Sequence, residues 1–159
     1  MPRRIESTKR PRAAVPEPFV DTDVIVRLLT GDDPQKQAEA TALFTAVERG
    51  ELTLAAPDTV IFDVVYVLAS PRLYHLSRTH IRDVLAPVVR PPNFKVAHKG
   101  ALLRALDLYA STNLPFGDAY LVASLREAGS RVLYSYDAHF DRLPDLERRE
   151  PTISPATTE

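Results

Sequence analysis

The chain of 159 residues predicts an α/β fold with a mostly parallel sheet. Two observations lead there. Short apolar runs of strand length alternate along the chain with longer stretches of helical periodicity, the pattern of helices packed on parallel strands. Two of those runs, Phe19-Val20 and Val132 to Ser135, are each followed by an aspartate, Asp21 and Asp137. The carboxyl ends of strands are where open α/β sheets place their ligands.

The elements follow in order. Pro18 to Val20 reads as a short strand into Asp21, and Val24, Ile25, Val26, Leu28 and Leu29 as a helix that Thr22 or Asp23 would cap and Gly31 would end. Asp33-Pro34 opens a second helix, with cap and first-turn proline in the favoured places, and Gly50 closes it. Leu52 to Ala55 is a strand. Asp58 or Thr59 should cap a third helix, Val60 to Ala69. Ser77 should cap a fourth, with Ile81, Val84, Leu85 and Val88 on one face and Pro87 arguing against a smooth ending. Phe94 to Val96 is another strand, and Lys99 to Ala110 a helix. Asp118 falls in the first turn or at the cap of a helix carrying Leu121, Val122, Leu125 and Ala128, stopped by Gly129. After Leu143-Pro144 the chain turns polar. The expected division is a basic arm over residues 1–17 with Arg3, Arg4, Lys9, Arg10 and Arg12, one domain over 18–150, and a disordered tail over 151–159.

Composition narrows the function classes. Apolar residues make up 45% and charged residues 26%, a globular profile. With a net charge of −1, any contact with nucleic acid must come from a local basic patch. Cysteine is absent, which removes disulfides, thiolate metal sites and a cysteine nucleophile and fits a reducing compartment. No apolar run approaches the ~18–20 residues of a membrane span, so no membrane role is expected.

Four carboxylates stand out. Asp63 is the only polar side chain in Val60 to Leu68 apart from the Tyr66 hydroxyl, with no basic residue within a helical turn. A helix apolar all round is expected to be buried, where an unpaired carboxylate is costly. Asp21 has a similar apolar setting, Asp118 opens a helix and Asp137 ends a strand. Each has an ordinary reading alone, as a cap, a turn residue or a paired acid. Together, without cations, they would repel. A hard divalent ion with oxygen ligands, Mg²⁺ or Mn²⁺, resolves the repulsion.

Phe19-Val20-Asp21-Thr22-Asp23, Asp63-Val64-Val65-Tyr66-Val67-Leu68, Leu114-Pro115-Phe116-Gly117-Asp118-Ala119 and Ser135-Tyr136-Asp137-Ala138-His139-Phe140-Asp141 occur in this order. In that order they resemble the PIN-domain nucleases, and within them the VapC-type toxins of toxin–antitoxin pairs. The resemblance spans about residues 18 to 150. It implies a three-layer α/β/α sandwich and a cytoplasmic, metal-dependent ribonuclease binding one or two ions. The family's first, third and fourth acids fall on Asp21, Asp118 and Asp137, with Asp141 as an accessory. The second is typically glutamate and here is Asp63, one methylene shorter, so its contact with metal would run through water. Asp23 stands where the family often has asparagine or serine, and is read as a helix cap. Ser135 stands where a small hydroxyl residue orients the last acid. A small antitoxin partner and a homodimer are implied as well.

For the RNA substrate, the candidates are Arg72, Arg78, Arg82 and Arg142, with His75 and His80 among them. His139 has no clear partner in the sequence and is read as a rim residue. Two alternatives stand beside the nuclease. One is a PIN fold that binds RNA or a partner without cutting, suggested by Asp63. The other is a haloacid-dehalogenase-like phosphatase, suggested by Asp21-Thr22-Asp23-Val24 but lacking that family's later acid pair near Asp118.

Overall fold

The computed structural model describes residues 15–153. Most of the expected basic arm and the end of the expected tail lie outside them. The elements are α1 (Thr22–Leu29), α2 (Pro34–Glu48), β1 (Leu54–Ala56), α3 (Asp58–Ala69), α4 (Arg78–Val89), β2 (Phe94–Val96), α5 (Lys99–Ser111), α6 (Phe116–Glu127), β3 (Val132–Tyr134), a 3-10 turn (Ala138–Arg142) and β4 (Glu147–Arg149).

Every strand pairing is parallel, as the alternation of elements predicts. β1 pairs with β2, Leu54 opposite Phe94 and Ala56 opposite Val96. On the other edge of β1 the expected first strand contracts to one bridge between Phe19 and Ala55, held by Val20 N–H to Ala55 O at 3.0 Å and Ala55 N–H to Pro18 O at 2.9 Å. β3 pairs with β4, Val132 opposite Glu147. The sheet therefore comprises two short ladders rather than one continuous run.

Helices cover these strands and supply most of the core. Ile25, Ile61, Leu68, Ile81, Leu85, Leu102, Leu106 and Val122 are fully buried, and so is Phe94, with the edge of its ring against Phe44 at 5.5 Å. Each buried aliphatic side chain contributes on the order of 1.5–3 kcal/mol. α5 packs most extensively on α6 and on α4, and α1 lies against α2 and α3.

The caps show which local signals prevailed. Asp33 accepts from Lys36 N–H at 3.1 Å and Ser77 from His80 N–H at 3.2 Å, both as expected. Gly50 and Gly129 sit at φ 76° and 71°, the left-handed residues that end α2 and α6 without a Cβ clash. At α1 the cap is Asp21 rather than Thr22 or Asp23. At α3 neither Asp58 nor Thr59 caps; Pro57 takes the cap position and the Asp58 carboxylate accepts instead from the Tyr120 hydroxyl at 3.1 Å. α4 runs through Pro87 to Val89. Pro87 is exposed while Ile81, Leu85, Ala86 and Val89 are buried, so packing of that face outweighs the lost hydrogen bond.

One further expectation is corrected, and one strand was not foreseen. The stripe on α6 is Phe116, Ala119, Val122, Ala123 and Leu125; Leu121 and Ala128 are exposed, because the buried face is centred on the Phe116–Ala119–Val122–Ala123 line. β4 had no signal: Glu-Arg-Arg is polar at every position, and it forms a strand because β3 offers it an open edge, where charged side chains are tolerated.

Candidate active site

The site is built around the start of α6 and the turn that follows β3. Pro115 takes the cap position of α6, and Asp118 lies in its first turn with no capping bond, its side chain one-third exposed. An acid there gains from the positive end of the helix dipole. Asp137 stands just beyond β3 at the cap of the 3-10 turn, as its place after an apolar strand predicts. Its Oδ1 accepts from His139 N–H at 3.1 Å, and its own N–H donates to Ser135 Oγ at 3.0 Å. Ser135 thus braces the turn that carries Asp137.

His139 joins the two acids. Its Nδ1 is 2.9 Å from Asp137 Oδ1 and its Nε2 is 3.2 Å from Asp118 Oδ2, while the ring leans on Phe140 with centroids 4.3 Å apart. Its Nε2 is buried with no aligned hydrogen bond despite its short distance to Asp118. The rim reading of His139 is therefore corrected. The Asp137-Ala138-His139 spacing held the signal, since an aspartate that bonds its own backbone two residues on turns that residue back towards it.

Asp63 is exposed, contrary to the expectation of a buried acid. The buried face of α3 is Val60, Ile61, Val64, Val65 and Leu68, and Asp63 falls between its turns. It lines a cleft of about 570 Å³ with Phe62, Tyr66, Phe116 and Gly117. Phe62 fixes that cleft, its ring meeting Phe116 at 5.0 Å and Tyr120 at 4.9 Å. Burial first, and then the bond to Asp58, push the Tyr120 phenol up, so it stays a neutral donor tying α6 to the start of α3. At Gly117 a side chain would meet open space, so the cleft is unobstructed beside Asp118.

The remaining candidates divide. Asp21 is exposed and its Oδ1 accepts from Thr22 N–H at 2.7 Å. Asp23 is no cap; it lines a separate groove between α1 and α2 with Arg27 and Lys36. Asp141 is held by Arg148, at 2.9 Å to Nε and 3.2 Å to Nη2. Arg82 pairs with its neighbour Asp83 at 3.0 Å. Arg78, read as a substrate contact, lines the cleft with Asp63, and its guanidinium donates to the carbonyls of Tyr109, Thr112, Asn113 and Leu114 and lies 4.2 Å from the centroid of the Tyr109 ring. Among the described residues Arg72 and Arg142 form no ion pair, and Arg142 lines a cavity of about 440 Å³ with His139 and Asn113.

Arg148 was not foreseen. It is a cation on β4 bonded to Asp141, to Glu150 and to Ser135 O, so it supports the strand end from which Asp137 departs. Its hydrogen bonds hold the Asp141 carboxyl below the usual range, as Arg126 does for Asp145. Depressed carboxylates stabilise the fold above their unfolded value of about 3.9 and lose that contribution as pH falls through the lower folded value. Urea unfolding followed from pH 6 to about 2 should therefore show a shallower acid limb below about pH 4 in Arg148→Met than in the wild type.

The chemistry of the donors, carboxylates and an imidazole, suits a hard divalent ion. As arranged, however, no three His, Asp or Glu side chains among the described residues are gathered to hold one. The His139 ring occupies the space between Asp118 and Asp137.

Compared with known proteins, residues 19–146 match the family model of the PIN domain. No curated protein matches the chain. No helix among the described residues is long and apolar enough to cross a membrane.

Proposed function

Because this chain belongs to the PIN-domain family, whose members are generally nucleases, we propose that it is a cytoplasmic endoribonuclease hydrolysing RNA phosphodiester bonds with Mg²⁺ or Mn²⁺. The observation that carries this reading is that Asp118 and Asp137, from separate elements, reach one imidazole. Asp63, on α3, lines the cleft that also passes Gly117, on the same helix as Asp118. Asp118 and Asp137 would hold the ion, with Asp21 completing the set and Asp63 acting through water. One or two ions are compatible with four carboxylates.

A bound divalent ion would supply a water ionised near neutral pH and charge neutralisation at the phosphate. The chain's own residues do the rest. The backbone N–H of His139 holds the Asp137 carboxylate, and Ser135 Oγ holds the Asp137 backbone N–H. The first turn of α6 sets Asp118 against the open side of Gly117, where a phosphate could approach without meeting a side chain. Arg72 and Arg142, unpaired among the described residues, are the cations available to the RNA backbone. A toxin role, with a small antitoxin partner and a homodimer, is the biological setting that the order of the motifs supports.

The test is cleavage of an end-labelled structured RNA in Mg²⁺, in Mn²⁺ and in excess chelator. Cutting in either metal that chelator abolishes is the expected result. Absence of cutting together with absence of Mn²⁺ binding by calorimetry would leave a PIN fold that binds RNA or a partner without hydrolysis.

A further inference from the structure

Resting on the RNA-directed reading above, we propose that the cleft between α3 and the start of α6 is a nucleobase pocket: one unpaired base of the strand stacks on Tyr66, and its backbone passes Gly117. That reading supplies acids for the chemistry but nothing that holds the strand beside them. Phe62, Asp63 and Tyr66 fall on one side of α3, three and four positions apart, and all three line the cleft of about 570 Å³, a size suited to a small flat ring system. Its floor is aromatic. The buried rings of Tyr109 and Phe116 meet edge to face at 5.8 Å, and Phe62 meets Phe116 in the same way at 5.0 Å. Tyr66 stands at the mouth, 78% exposed, and its ring packs on no other aromatic ring among the described residues. An open aromatic face of this kind is a platform for an unstacked base.

Charge selects a base over other occupants. Among the residues lining the cleft the one acid is Asp63, and the one cation, Arg78, is spent on four main-chain carbonyls. The cleft therefore offers no free cation to a phosphate or an acidic peptide, whereas the exocyclic amine of a base is a donor that Asp63 can accept. A cation lies just outside. Arg72 follows Pro71, a lining residue, and forms no ion pair among the described residues, so it is placed to meet a phosphate next to the stacked base.

The experiment measures fluorescence anisotropy of a labelled single-stranded RNA and of its duplex, in chelator so that nothing is cut, with wild type, Tyr66→Ala, Tyr66→Phe and Gly117→Leu. Thermal melts of the same preparations confirm that each is folded. Tyr66→Ala should bind the single strand about tenfold more weakly, the order for one lost stacked base, and Tyr66→Phe, which keeps the ring, should bind as wild type does. Gly117→Leu, whose side chain enters space where a Cβ meets nothing within 4 Å, should fill the cleft and weaken binding similarly. A duplex has no free base to offer, so wild type and Tyr66→Ala should not differ on it. The salt dependence of single-strand affinity should keep its slope in Tyr66→Ala and lose about one phosphate's share in Arg72→Gln. Unchanged single-strand affinity in Tyr66→Ala, beside a wild type that cuts RNA in metal, would overturn the inference and leave the nuclease reading intact. Light scattering that shows a dimer in wild type and a monomer in Tyr66→Ala would assign the cleft to a second copy and overturn it as well. A wild type that neither binds nor cuts RNA would overturn both.

Discussion

Replacing Asp118 by asparagine is expected to reduce RNA cleavage at least about a hundredfold while leaving the fold in place. Loss of an outer-shell partner of a metal ligand typically costs about 10–100-fold, and a carboxylate that itself holds the ion should cost no less. Asparagine matches the volume of aspartate, so packing at the start of α6 is preserved; its neighbours Phe116 and Ala119 are the buried residues there, and Asp118 is not. What disappears is the negative charge. Stability should change little, because the lost interaction with the helix dipole, about 0.3–1 kcal/mol at an exposed position, is partly offset by relief of repulsion from Asp137. Initial rates on a labelled RNA and a thermal melt of the same preparations check both halves. An Asp118→Asn protein that cuts at the wild-type rate would remove Asp118 from the site.

The second large effect concerns stability. Arg78→Met should lower unfolding free energy by about 2–4 kcal/mol, read as a shift in the urea midpoint at unchanged slope. Arg78 donates to four carbonyls, the shortest being Leu114 O at 2.6 Å, and those oxygens cluster at the C-terminal end of α5 and in the loop after it. Tyr109 O is one of the acceptors that a helix end leaves without partners, at the negative pole of its dipole, and the other three follow it in the cap and loop. Methionine removes every donor and the guanidinium that lies over the Tyr109 ring, so the cost is that of unsatisfied carbonyls together with the lost cation–π contact. Lysine should recover only part of it, because a single ammonium cannot match the planar guanidinium that spans four oxygens. The same loop, Thr112 to Pro115, leads directly into α6. Activity of Arg78→Met is therefore expected to fall even at temperatures where the protein remains folded.

These two residues show where the sequence was legible. Asp118 was readable because Leu-Pro-Phe-Gly-Asp combines a helix start with an acid, and local chemistry decides both. Asp137 was readable for the same reason, an aspartate just past the end of a short apolar strand. Arg78 was not. Its value lies in carbonyls more than thirty positions away, and no local pattern distinguishes an arginine that reaches backbone oxygens from one that faces solvent. Asp63 was misplaced on burial by a related blind spot. A helix with one acid among apolar residues can be buried all round or can open one narrow strip onto a cleft. Only the packing of Phe62 against Phe116 and Tyr120 chooses the second. β4 was invisible because an edge strand is made by its neighbour, and its own residues carry no apolar alternation.

On the proposed function, that strand would also set when the protein becomes competent during its synthesis. Ser135 N–H donates to Arg149 O at 2.9 Å, and Arg148 donates to Ser135 O. The segment that presents Asp137 is thus buttressed by residues made after all four acids. A nascent or truncated chain ending at Asp145 would contain Asp21, Asp63, Asp118 and Asp137 and still lack that buttress. On the proposed function, competence therefore waits for β4, and a chain ending between Asp137 and Arg149 would carry all four acids without the strand that buttresses the turn aiming Asp137.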